Sequence, residues 1–233
     1  MSGAQLILIE GMIGAGKTAT AEWVGNWLSR RGEDARAFGE FAEDHPIRTR
    51  AVDQLRAAYR ARGWLGQAGT GPTDEPGAYA VSQWRRLAEH CLRERQTVIL
   101  ESVFLQNSVM PAFIDGASAN AVIELFTAIL EQVAPAAPFL VYLRPTDIAA
   151  AIARVHHARG RPWAAQNIAF VENSPWARPR NLHGPGAVVE LYRAWEALAS
   201  RLYDRYSFGK LMVTDPQHDW PAALTRIGTA IRP

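Results

Sequence analysis

Short apolar runs alternate along the chain with stretches whose apolar residues recur at helical spacing. Residues 5–9, 35–38, 97–100, 139–143 and 210–214 are too short for helices and continuous enough to be buried on both faces, which predicts five strands of a sheet. Between them, Ala21, Val24 and Leu28 form a helical stripe ended by Gly32, and Val122, Leu125, Phe126, Ile129, Leu130 and Val133 form a stronger one before Pro135. Val188, Tyr192, Trp195 and Leu202 repeat the spacing, as do Leu224, Ile227 and Ile231 after Pro221. Strand and helix alternation of this kind demands right-handed crossovers, so the predicted architecture is a three-layer α/β/α domain around a five-stranded parallel sheet.

Two stretches interrupt the pattern. Residues 63–77 are rich in Gly, Pro and Thr and predict a surface loop, while residues 157–186 mix arginine, proline and tryptophan without periodicity and predict a lid. No internal repeat occurs. The whole of residues 1–233 is therefore expected to be one domain with a mobile flap.

Composition narrows the classes of function. Hydrophobic residues at 48% and charged residues at 21% suit a chain with a substantial core rather than a disordered one. A formal charge of +2 and a pI near 8.9 lean basic, but no lysine or arginine run forms a stripe that tracks a nucleic-acid polymer. The expected ligand is thus a small molecule. Cys91 is the one cysteine, so no intramolecular disulfide is possible and ordinary core packing is its expected role. No signal-like n-region precedes the apolar residues 6–9 and no stretch reaches membrane-spanning length, which gives a cytoplasmic expectation with no membrane partner. Oligomeric state is open, a homodimer included.

The strongest chemical signal is Gly11-Met12-Ile13-Gly14-Ala15-Gly16-Lys17-Thr18, directly after the first strand and opening the first helix. This spacing in this context is the Walker A pattern. Its glycines let backbone wrap an anion, the amides through Ala19 face phosphates at the helix N-terminus, Lys17 is placed to bridge β- and γ-phosphates, and the Thr18 hydroxyl suits Mg²⁺. A partner acid belongs at the end of a buried strand. Glu101 closes the third, where a carboxylate can hold magnesium through water or orient an attacking oxygen, with Ser102 at the same rim.

With these pieces in place the sequence resembles the deoxynucleoside kinase and thymidylate kinase group of P-loop kinases. Residues 8–18 look like their opening, and Glu101-Ser102-Val103-Phe104 is similar to their acidic-Arg-Ser strand end, without the arginine. Glu101 therefore fills either the acidic or the arginine position of that pattern. The resemblance implies an acidic residue after the second strand that acts as base or binds the acceptor; Glu40 is the first choice, ahead of Glu43 and Asp44, which suit capping of a following helix. Tyr142-Leu143 followed by Arg154, Arg159 and Arg161 resembles the family's helix and arginine-bearing lid, and one of Arg159 and Arg161 is expected to contact phosphate. Residues 163–185 are longer and more aromatic than a simple lid. Residues 214–218 fall where the family packs a loop against adenine.

On the acceptor side, Tyr79, Gln83, Trp84, Arg85 and Arg86 share one predicted helix. Trp84, Leu87 and Cys91 have core-facing spacing, which leaves Gln83 and Arg85 as substrate candidates. His156 and His157 face different ways on a helix and lack a completing acid or cysteine, so no metal role is expected. The function implied is an ATP- and Mg²⁺-dependent phosphotransferase acting on a small-molecule acceptor, most naturally a nucleoside or nucleotide. A natural product or antibiotic hydroxyl is the alternative acceptor, ATP against GTP is open, and a nucleotide-dependent ATPase or switch acting on a protein partner is the alternative of another class.

Overall fold

The computed structural model describes residues 5–40, 42–47, 75–94 and 96–231. Five strands, β1 (Leu6–Gly11), β2 (Ala35–Phe38), β3 (Thr97–Glu101), β4 (Phe139–Arg144) and β5 (Lys210–Thr214), lie parallel in the order β2-β3-β1-β4-β5. The sheet therefore matches the sequence reading. The eight α-helices of the described residues are α1 (Lys17–Ser29), α2 (Glu75–Glu94), α3 (Met110–Ile114), α4 (Ala119–Val133), α5 (Ile148–Arg159), α6 (Arg161–Glu172), α7 (Gly184–Arg205) and α8 (Trp220–Ala230).

Strand alternation sorts the core into two layers. Leu6, Leu8, Val98, Leu100, Leu140 and Tyr142 point to one face and pack with the buried residues of α2, α4 and α7, whereas Ile7, Ile9, Ile99, Val141, Leu143 and Val213 point to the other, under α1 and α8. Each central strand is thus covered on both sides. The stripes on α1, α4 and α7 are buried as their spacing predicts, and Trp84 and Cys91 are fully buried in the larger layer, where the Trp84 indole N–H donates to Ser108 Oγ at 2.9 Å. Burial pushes the Cys91 thiol up to about 11, so it remains protonated.

Three expectations change. β2 and β5 were expected to be buried on both faces, but Arg36 and Ala37 are exposed and Lys210, Leu211 and Met212 only partly buried, because these are the two edge strands of the sheet among the described residues. The 63–77 loop lies outside the described residues except at its end, where α2 has already begun at Glu75; Pro76 falls in that helix's first turn, where its missing N–H breaks no bond. Residues 157–186 are mainly helical rather than irregular. α5 and α6 meet at Gly160, which has φ of 83°, and Pro162 sits at the start of α6. The helix escaped the sequence reading because Val171 is its one buried residue, so no apolar stripe marks it.

Candidate functional site

The C-terminal ends of β1, β2 and β3 converge on one cleft, the usual ligand position in open α/β sheets. Register fixes the meeting point: Ile9 lies opposite Glu101, and Gly11 lies opposite Leu143. At Gly11 the chain leaves the sheet with φ of 145°, and a Cβ there would stand 2.3 Å from the Leu143 carbonyl oxygen. Gly16, with φ of 90°, lies so close to Trp220 that a Cβ would meet its ring at 2.3 Å. Both glycines are required by contact as well as by torsion. We expect Gly11→Ala to lower stability by about 1–3 kcal/mol through that overpacking, read as a reduced midpoint in urea with an unchanged slope.

α1 begins at Lys17 with no side-chain cap, so its first-turn amides carry no capping acceptor where Lys17, Thr18 and Ala19 line the cleft. The Lys17 side chain folds back over the loop and Nζ donates to the Met12 carbonyl at 2.8 Å. Burial lowers its pKa, against the opposing attraction of Glu10, Glu101 and Glu40. An anion in the loop would restore the charge that burial disfavours.

Glu101 is the hub of the opposite wall. Its Oε1 accepts from Thr18 Oγ1 at 3.2 Å and from the Glu40 amide at 3.1 Å, and its Oε2 accepts from Ser102 Oγ at 2.6 Å. Thr18 and Glu101 thus offer two hard oxygens side by side. Among the described residues no group of three or more His, Cys, Asp or Glu side chains could hold a metal. A small hard cation that keeps much of its shell as water and phosphate oxygens fits such a pair better than an all-protein cage.

Glu40 follows β2 and lines the same cleft, its Oε1 accepting from Asn107 Nδ2 at 2.9 Å. Burial raises its pKa, and Glu101 adds to the rise while Asn107, Lys17 and Arg159 oppose it. A carboxylate so placed is poised for proton transfer nearer neutrality than an exposed one. Of its sequence neighbours, Asp44 pairs with Arg36 on the exposed edge strand rather than serving the cleft, and Glu43 is exposed.

α5 contributes the second cation. Val155 packs over Gly14, and Arg159, four residues on, falls on the same helix face above the loop. Its guanidinium lies 4.6 Å from the Trp163 ring centroid, and both side chains line the cleft. Arg161, beyond the Gly160 break, is exposed and away from the cleft wall; Arg154 is exposed as well. Ile13, Gly14, Gly16, Ser102 and Gln106 complete a cleft of about 500 Å³.

Other candidates lie elsewhere. Arg85 Nε donates to Gln132 Oε1 at 2.8 Å on the surface of α4, so it does not reach this cleft. Gln83 is buried on α2 with Nε2 unpartnered among the described residues, and it does not line this cleft. Tyr142 is a core residue whose hydroxyl donates to Glu196 Oε2 at 2.7 Å, tying β4 to α7. In the 214–218 loop, Asp215 accepts from the Thr146 amide at 2.9 Å and its hydroxyl at 2.6 Å, which fixes the loop to the start of the α5 connection. His156 Nε2 lies 3.0 Å from Asn167 Oδ1, bridging α5 and α6.

Four participants were not singled out from sequence: Glu10, Gln106, Asn107 and Trp163. Glu10 is hidden inside a strand pattern. Gln106 and Asn107 reach the cleft because Ser102 adopts a left-handed φ of 67° and starts a single π-helical turn, Val103–Asn107. Such strained turns recur at functional sites. A second cleft of similar size, between Phe113, Trp176 and Leu198, carries arginines but no carboxylate on its walls and lies away from the glycine loop.

No protein-family model matches the chain, and no curated protein matches its sequence. Among solved structures, thymidylate kinase from Ehrlichia chaffeensis aligns over 99% of this chain and 100% of its own, at 12% identity and a TM-score of 0.52. Deoxyadenosine kinase from M. mycoides, solved with bound dCTP, aligns over 96% of this chain and 99% of its own, at 15% identity and a TM-score of 0.47. The full-length alignment, the five parallel strands and the glycine loop together show that this chain has the three-layer α/β/α fold of the P-loop kinases, the fold of that thymidylate kinase.

Proposed function

We propose that the chain is a phosphotransferase that moves the γ-phosphoryl group of MgATP onto a small-molecule acceptor, a nucleoside or nucleotide. The observation that carries this reading is the convergence of Lys17, Thr18, Glu40, Glu101 and Arg159 on one cleft at the strand ends. In that arrangement the loop amides and Lys17 would hold the triphosphate, and Thr18 with Glu101 would hold Mg²⁺, which would supply neutralisation of phosphate charge. Glu40, kept in place by Asn107, accepts the proton of the attacking hydroxyl. Arg159 faces the charge that spreads over the equatorial oxygens of the transferring group.

The acceptor side favours a planar polar ligand. Gln106 lines the cleft, and its side-chain amide carries the donor and acceptor types that a base edge would meet. The fold likeness to thymidylate kinase agrees with this at the level of analogy. Incubation of the purified protein with MgATP and a panel of nucleosides, nucleotides and hydroxylated natural products should yield a phosphorylated nucleoside or nucleotide; ADP release with no acceptor modified across the panel would contradict it.

The two arginines of the lid separate cleanly. Arg159→Ala should lower kcat by roughly a hundredfold, the usual scale for removing one stabiliser of transition-state charge, whereas Arg161→Ala should leave it within about twofold. Steady-state rates of the two variants with the acceptor found in the panel check this.

A further inference from the structure

Glu10 is a buried carboxylate that phosphoryl transfer, as described above, does not use. It precedes the glycine loop on β1 and is 1% exposed. Its Oε1 accepts from the Phe104 amide at 2.7 Å and its Oε2 from the Gln106 amide at 3.2 Å, with the Leu105 amide adding to the same field. Those donors belong to the π-helical turn that carries Gln106 and Asn107 into the cleft. On its other side, Glu10 exerts the largest attraction felt by buried Lys17. One side chain therefore touches the acceptor-side turn and acts on the phosphate-side lysine.

We propose that Glu10 is a positioning residue that couples the two halves of the site, so that occupation of the glycine loop by a triphosphate tightens the 103–107 turn against β1. The inference rests on the phosphotransferase reading. Glu10, Glu40 and Glu101 all act on Lys17, the buried cation of the site, while Arg159 stands exposed on the cleft wall. When Lys17 turns from the Met12 carbonyl toward phosphate, Glu10 loses part of its counter-charge. The backbone N–H groups of the turn are then its remaining partners, and a carboxylate in a dry interior draws such donors closer. The turn in its strained conformation is thereby held ready, with Asn107 on Glu40 and Gln106 on the cleft wall, once the donor nucleotide is present. Lys17 thus signals through Glu10.

Amide hydrogen exchange of residues 103–107 tests this without the acceptor, using the non-hydrolysable probe adenylyl imidodiphosphate with Mg²⁺ and calorimetry to establish that it is bound. In the native protein, saturation with the probe should slow exchange of these amides about fivefold or more, the lower range of ordinary coupling between sites. Glu10→Gln replaces one acceptor oxygen by an N–H donor that opposes a backbone donor, and Glu10→Asp keeps the charge but falls short of the turn. With the probe bound, either variant should show less than about twofold slowing. A variant that binds the probe and keeps the native slowing would overturn the coupling, as would a native protein whose turn ignores the bound probe. A native protein that does not bind the probe at all would remove the phosphotransferase reading and this inference with it.

Discussion

Lys17→Ala is expected to lower phosphoryl transfer by about a hundred- to a thousandfold, the scale seen when one preorganised electrostatic donor is removed from a reaction centre. Two physical effects add. Among the described residues the ammonium is the cation held over the glycine loop, by the Met12 carbonyl, and alanine would leave a triphosphate there with the loop amides and the more distant Arg159. Alanine also leaves Glu10 without its main counter-charge in the interior. Burial already raises the Glu10 carboxyl to about 7, with Lys17 the largest opposing influence, so complete removal of that charge, unlike its partial withdrawal when Lys17 turns toward phosphate, raises the carboxyl further and leaves it protonated rather than an isolated buried charge. The fold should therefore survive while the site fails. Far-UV circular dichroism beside a transfer assay separates the two, and native-like spectra with native rates would contradict the role of Lys17.

Glu40→Gln carries the second large effect. As a general base the carboxylate contributes about 10²- to 10⁴-fold, so kcat should fall by that order while nucleotide affinity holds. Its pH dependence has a definite sign. A base must be ionised to act, and burial raises the Glu40 pKa, so native activity should fall as pH drops through a value above the ordinary carboxylate 4.5. In the variant that acid limb should disappear or move. The same raised pKa lowers stability toward alkaline pH: the folded state holds the proton more tightly than the unfolded chain, so this group's contribution is fully present below pH 4.5 and lost as pH rises through the folded value. A native acid limb at the ordinary carboxylate value, or one unchanged in Glu40→Gln, would assign the base elsewhere, Glu101 being the next carboxylate in the cleft.

Much of this site could be read from the chain because its signals are local. The glycine loop is a run of consecutive residues whose glycines are forced by approach to Leu143 and Trp220, and Glu40 and Glu101 stand at or just after strand ends, where side chains enter the cleft. Strand positions were legible for the same reason, since continuous apolar runs match the central strands β1, β3 and β4, which are buried on two faces. What escaped depends on three-dimensional context. Glu10 sits within a strand and acquires partners 94 and 96 residues away. The π-helical turn depends on one left-handed serine, for which the sequence carries no mark. α6 has too little buried surface to imprint a periodicity, and Arg85 turned out to face α4, because nothing in the spacing of a helix says which polar face meets a ligand and which meets water.

Phosphoryl transfer in this cleft requires the glycine loop to hold a triphosphate through Lys17. Titration of MgATP into the native protein by calorimetry, repeated with Lys17→Ala, measures this directly. Saturable binding of one nucleotide per chain, weakened at least about tenfold by the substitution, is the predicted result. No heat with the native protein, or equal affinity in both, would contradict it.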